Sequence, residues 1–326
     1  MGKPKPTLLT RRRLLLGLGS LGLAGAAAAW FRRSPAIAVR VPPVEGDLPQ
    51  FGESLSPMAM LRDFDYGTAK QENGRTVREF HLTADTATLE LNRAVSFVSW
   101  NYNGRVPGPT LRVKEGDRVR IIFHNEGGHS HSIHFHGIHP AEMDGVDPVR
   151  NGDEVVYEFD AKPFGLHLYH CHIEPVTRHL SKGLYGLFIV DPPQGRSPAD
   201  ELVLIMAGYD TNDDDRNELY AFNGIPDYFY DRPIRIYQNQ PVRIYLLNAI
   251  EFESAATFHL HANFFKVYPT GMTLTPTTES DVVTLGTMER HIIEFSYIYP
   301  GTYMFHPHQD LIAEHGCMGK FEVLPA

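Results

Sequence analysis

Residues 103–126, NGRVPGPTLRVKEGDRVRIIFHNE, decide how the rest of the chain is read. Apolar and polar residues alternate on both sides of Glu115-Gly116-Asp117, the period of a strand with one buried face, broken by a turn. The plan recurs: Asn223-Gly224-Ile225-Pro226 leads to RPIRIYQNQPVRIYLLNA at 232–249, with the same alternation about Asn239-Gln240. Each copy runs on to a His-x-His pair, His134/His136 in the first and His259/His261 in the second. Each then passes a Gly turn, Phe164-Gly165 or Pro300-Gly301, to a second pair, His170/His172 or His306/His308. Helical periodicity is nearly absent. The expectation is an all-β chain of two Greek-key β-sandwich domains, residues 39–194 and 195–326, meeting near Asp191-Pro192-Pro193-Gln194-Gly195.

Residues 1–38 stand apart. Lys3 and Lys5 precede Thr10-Arg11-Arg12-Arg13-Leu14, which opens an apolar, Gly/Ala-rich run to Trp30. This is the outline of a twin-arginine-type signal peptide for Tat export, with Ala36-Ile37-Ala38 as its cleavage site. The expected location is periplasmic or secreted, with membrane attachment only if the signal stays uncleaved. Cleavage removes seven basic and no acidic side chains from a chain of net charge −9, leaving −16. So negative a protein has no basic stripe to follow phosphates, which disfavours nucleic acid and anionic membrane as partners.

The 17 histidines and 2 cysteines carry the chemistry. In an extended strand residues i and i+2 share a side, so every His-x-His pair presents two imidazoles to one cavity. Eight neutral imidazoles with no carboxylate among them suit copper or zinc rather than magnesium or calcium. In HLYHCHIEPVTRHLSKGLYG, residues 167–186, Cys171 lies between two of those histidines, with His179 further on. A thiolate with two imidazoles is the donor set of blue copper electron transfer, and His131, Cys171 and His179 supply it. Leu184 follows Gly183 where such sites often place an axial methionine; leucine cannot coordinate, so the copper should be three-coordinate and of raised potential. In the second copy Ala256, Pro307 and His315 stand at the matching places, so only one domain should hold this site, with His315 a relic of the other. His129, His139 and His167 lie off the register and are expected at the surface or beside the ligands. Cys317 reads as a buried inert thiol, two cysteines being too few for a disulfide framework. Asp213-Asp214-Asp215 reads as a solvated loop.

HSIHFHG, HLYHCHIEPVTRHLSKGLYG, FHLH and MFHPHQ, in that order, with NGRVPGPTLRVKEGDRV ahead of them, closely resemble the copper-binding motifs of multicopper oxidases, and the two-repeat length resembles the two-domain, laccase-like members. The resemblance implies two cupredoxin-like domains. It also implies one type 1 copper on His131, Cys171 and His179; one type 2 copper on His134 and His259; and two type 3 coppers on His136, His170, His172, His261, His306 and His308. Asp144 matches the acidic residue implicated there in proton delivery, with Glu174 and Asp310 as weaker candidates. Dioxygen and a small-molecule electron donor, phenolic or similar, would be the partners. The trinuclear cluster would lie between domain one of one subunit and domain two of the next, in a ring-like homotrimer. Copper-containing nitrite reductase shares the two-domain plan, but it resembles HxxDxH and HCA where this chain has His134 and His172. A non-catalytic copper electron-transfer protein is the other alternative, and it would need only the Cys171 set.

Overall fold

The computed structural model describes residues 39–43 and 55–326. The export signal and its cleavage site at 1–38 lie outside the described residues. No described helix is long and apolar enough to cross a membrane.

The chain is all-β and cupredoxin-like, as the alternation predicts. In the first half one sheet takes Thr68–Glu72, Arg75–Glu90, Arg118–Asn125 and Glu154–Asp160, with Ser96–Tyr102 paired to the long second strand. The facing sheet runs Phe64–Asp65, Thr110–Lys114, Tyr185–Asp191, Gly165–His170 and His134–Phe135. The second half repeats this with a six-stranded sheet, Leu219–Phe222, Asp200–Tyr209, Val242–Asn248, Arg290–Phe295, Phe265–Pro269 and Thr278–Ser280. Its partner sheet is Ile234–Tyr237, Gly319–Leu324, Gly301–His306, Ala255–Leu260 and Val282–Gly286.

Each sandwich closes on its own aromatic-rich core, Phe80, Phe123, Phe135 and Phe188 in the first, Phe222, Phe258, Phe265 and Phe305 in the second. A third core joins them. Leu166, Leu168, Leu187 and Ile189 pack against Val203, Ile205, Tyr245 and Leu247, so strand Gly165–His170 is buried on both faces. Simple alternation does not foresee this, because it assumes one wet face. Arg112 fastens the same seam, donating to Asp191 and Glu201 at 2.8–3.1 Å, and Arg243 reaches Glu201 at 3.0 Å.

The repeat is exact at its turns. Asn103 and Asn223 both take positive φ, 56° and 52°, ahead of glycines at 71° and 101°. Each Asn side chain bridges a neighbouring strand, Asn103 through His81 O and Thr83 N–H, Asn223 through Val203 O and Ile205 N–H.

Candidate metal centres

Cys171 leaves the end of strand Gly165–His170, His131 sits at an isolated bridge to Val149, and His179 lies on the short helix Val176–Ser181. Their donor atoms converge. The Cys171 Sγ is 3.2 Å from His179 Nδ1 and 3.9 Å from His131 Nδ1, and the two nitrogens are 3.2 Å apart. Such separations suit one small ion about 2.0–2.3 Å from each donor, and a thiolate with two imidazoles is a copper set. Gly127 makes room for the His131 ring, since a Cβ there would lie 2.5 Å from its Nε2.

Burial, reinforced by neighbouring imidazoles, lowers the pKa of His131 and of His179 to about 4, so both are neutral near pH 7. Burial raises that of the Cys171 thiol, so a metal entering here must displace its proton. Leu184 is fully buried; its carbonyl accepts from Cys171 N–H at 3.0 Å and its own N–H donates to His179 O at 3.3 Å. The sulfur of Met143 is taken up elsewhere, accepting from Glu158 N–H at 3.2 Å.

The eight histidines of the four His-x-His pairs form two matched quartets. In the first, antiparallel pairing sets His134 opposite His170, and in the second His259 opposite His306. His136 Nε2 is 3.2 Å from His170 Nε2; His261 Nε2 is 2.9 Å from His306 Nε2. The outer nitrogens are held alike. His134 Nδ1 donates to Asp144 O and His259 Nδ1 to Asp281 O, both at 2.7 Å, while His170 and His306 use Nδ1 on the carbonyls of Cys171 and Pro307 at 2.8 and 2.7 Å. Every one of these bonds leaves an Nε2 free for a metal. Ser132 and Thr257 hold the backbone of His172 and His308 in the same way. Burial pushes His136 to about 3 and His170 to about 4, and lowers His261 and His306 as well.

Two models of the multicopper oxidase family match the chain, at residues 83–195 and 197–326. A multicopper oxidase of known crystal structure is 48% identical, with a TM-score of 0.82 over 82% of this chain and 97% of that one. The chain belongs to the multicopper oxidase family. A blue copper oxidase from Nitrosomonas europaea is 25% identical with a TM-score of 0.68, covering 76% of this chain and 86% of that one. A copper-containing nitrite reductase of Neisseria gonorrhoeae is 28% identical over 261 residues, 72% of this chain and 66% of that protein. The chain thus spans just under two thirds of that curated relative's length. Membership of the multicopper oxidases makes copper the metal and oxidoreduction the class of reaction.

The two halves of this family member also correct one assignment. Gly183 and Gly316 share a positive φ of 117° and 113°, and the preceding carbonyls, Lys182 O and His315 O, accept from Trp100 N–H and Tyr220 N–H. Leu184 N–H donates to His179 O as Cys317 N–H does to Ile312 O. His315 is therefore the counterpart of Lys182, and the place of His179 is held by Ile312, because the second half is three residues shorter here. His315 is exposed, with its Nδ1 on Leu311 O; it is no relic of a ligand. Cys317 stands where Leu184 does, buried, and both cysteines are free.

Asp144 lies where a proton donor would be of use, with a carboxylate oxygen 3.3 Å from His134 Nδ1 and 3.9 Å from His139 Nε2. His139 and the buried His167 each hold a backbone carbonyl, Phe135 O and Pro163 O. Glu174 and Asp310 are exposed beyond the quartets. Sequence reasoning missed Asp281, whose carboxylate is 4.0 Å from His259 Nδ1, and Trp100, whose ring touches His131 and His179. The signal for Asp281 was the symmetry itself: each first histidine needs a carbonyl for its Nδ1.

Proposed function

We propose that the chain is a laccase-like oxidase, which takes single electrons from phenolic or similar donors at the Cys171 site and passes them to dioxygen, reduced to water at the eight histidines. The observation that carries this reading is the presence of His134 and His172 as imidazoles inside a quartet in which His134 and His170 have Nδ1 tied to backbone carbonyls and Nε2 left for a metal. Type 1 copper would be held by His131, Cys171 and His179 beside a non-coordinating Leu184. Type 2 copper would be held by His134 and His259, and the type 3 pair by His136, His170, His172, His261, His306 and His308. Copper bound there supplies one-electron redox chemistry and a position open to oxygen.

The chain's own part is connection and protons. Cys171 is bonded in sequence to His170 and His172, and its carbonyl accepts from His170 Nδ1, so the polypeptide links the two sites directly. Asp144, with its carboxylate partly open to solvent, can hold a proton beside His134 and pass it inward.

Each quartet is only half a cluster. Among the described residues, ring contacts join histidines within a quartet and none joins one quartet to the other. A head-to-tail contact repeated by rotation would bring the first quartet of one copy to the second of the next and close into a ring, which supports a homotrimer of two-domain chains, 39–194 and 195–326, exported to the periplasm or beyond.

The similarity to nitrite reductase favours a second reading, nitrite as acceptor. Copper content with oxygen uptake separates the two. The oxidase reading expects about four copper ions per chain and phenol-dependent oxygen consumption; the nitrite reductase reading expects about two, with nitrite consumed and oxygen spared.

A further inference from the structure

The imidazoles of the Cys171 site are almost closed to solvent: His131 is fully buried and His179 is 5% exposed. A donor in solution therefore meets their neighbours over a larger area than it meets the two rings. Trp100, half-buried, packs its ring 4.9 Å from that of His179 and 5.6 Å from that of His131, centroid to centroid, and 4.9 Å edge-on from the exposed His129. It is held in place. Its backbone N–H donates to Lys182 O, and the close packing of Gly183 against Trp100 O and Val106 leaves the backbone no slack. Val98, two residues earlier on the same strand face, is 54% exposed beside it. The half that lacks a thiolate also lacks this face: at the matching position Tyr220 is 1% exposed and its hydroxyl is spent on Glu253.

We propose that Trp100, with Val98 and His129, is the docking face for an electron-rich aromatic donor, and that Trp100 is the specificity-determining residue of the Cys171 site. This rests on reading His131, Cys171 and His179 as the copper site. A flat phenol stacks on or edge-to the indole, gains what an aromatic pair gives beyond burial, and lies one ring away from both ligand imidazoles. On oxidation the donor surrenders one electron to oxidised copper and its phenolic proton to water, leaving as a radical.

The test uses the full-length, copper-loaded protein as wild type, Trp100→Leu and Trp100→Phe. The specificity constant for 2,6-dimethoxyphenol is divided by that for hexacyanoferrate(II), a donor with no ring to stack. Trp100→Leu should lower this ratio about tenfold, chiefly through the phenol's KM, with the blue absorption retained, and Trp100→Phe should recover most of it. A ratio that does not move, or an equal loss with both donors, overturns the docking face. A wild type that is never blue when loaded with copper overturns the copper reading, and the proposal with it. A second readout needs no copper. In a Trp30→Phe background Trp100 is the remaining tryptophan, and dimethoxyphenol should quench its fluorescence saturably in the copper-free protein; a purely collisional, non-saturating response would count against docking.

Discussion

Where the first half sets Gly127, His131, Cys171, His179 and Leu184, the second sets Ile250, Ala256, Pro307, Ile312 and Cys317, on a backbone that keeps several of the same bonds but loses that of Cys171 N–H to Leu184 O, since Pro307 has no N–H. Gly127 N–H and Ile250 N–H both donate to an Asn side chain two residues back, Asn125 and Asn248. Gly127 leaves a hollow that the His131 ring fills; Ile250 and Ala256, both fully buried, fill the same pair of places with bulk and smallness exchanged. Ile312, 2% exposed, gains about 1.5–3 kcal/mol from burial, where His179 gives that up for a donor atom. The quartet survives beside this loss because it asks only for a carbonyl from residue 171 or 307, and Pro307 still supplies one. The comparison teaches that the thiolate site is dispensable to the fold, whereas the quartet is built into strand pairing.

The largest effect should come from setting the two cysteines against each other. Cys171→Ser should give a folded, colourless protein with donor oxidation at background. Cys317→Ser should stay blue and active and lose about 1–3 kcal/mol of stability from a hydroxyl buried without a partner. A blue Cys171→Ser protein would undo the contrast. Next come the paired carboxylates. Asp144→Asn should cut oxygen-linked turnover by about 10–100-fold, as changes beside metal ligands do, and Asp281→Asn less, since its carboxylate is 4.0 Å rather than 3.3 Å from its histidine. Equal effects would mean that the halves share the proton work.

Acid should act on the copper-free protein in a defined window. The unfolded chain takes up protons on His131, His136, His170 and His179 as pH falls through about 6.5, while the folded chain resists until about 4, or about 3 for His136. Stability is therefore full above the ordinary histidine pKa and drains between about 6.5 and 4. The urea midpoint of the copper-free protein should fall steadily from pH 7 to 4.5; a flat profile would mean that these imidazoles are not buried. The smallest effect is expected of Leu184→Met. A thioether beside the site should lower the potential of the blue copper without changing its copper content, and an unmoved potential would place Leu184 away from the axial position.

Much of this was legible in the sequence because a period of two is a strong signal and a histidine at i and i+2 leaves little freedom. The four His-x-His pairs, the thiolate set and the matched Asn-Gly turns could be read directly. The counterpart of His179 could not: a three-residue deletion leaves His315 at the right distance along the chain and the wrong place in space. Asp281 lies 22 residues after His259 with no pattern between them, and the two meet only in space, through its carbonyl and its carboxylate. Trp100 meets its imidazoles across strands and a helix, a contact that no spacing encodes. The third core, between the halves, was hidden because strands buried on both faces lose their alternation.

The central claim is that the two quartets work as halves of one oxygen-reducing site, brought together between copies. Subunits carrying His134→Ala and His136→Ala, and subunits carrying His306→Ala and His308→Ala, should each be blue and unable to consume oxygen. Mixed, dissociated and allowed to re-form oligomers, they should recover part of the wild-type oxygen uptake, because some interfaces would then join two intact quartets. Re-formed mixed oligomers with no uptake above either parent would contradict the shared site.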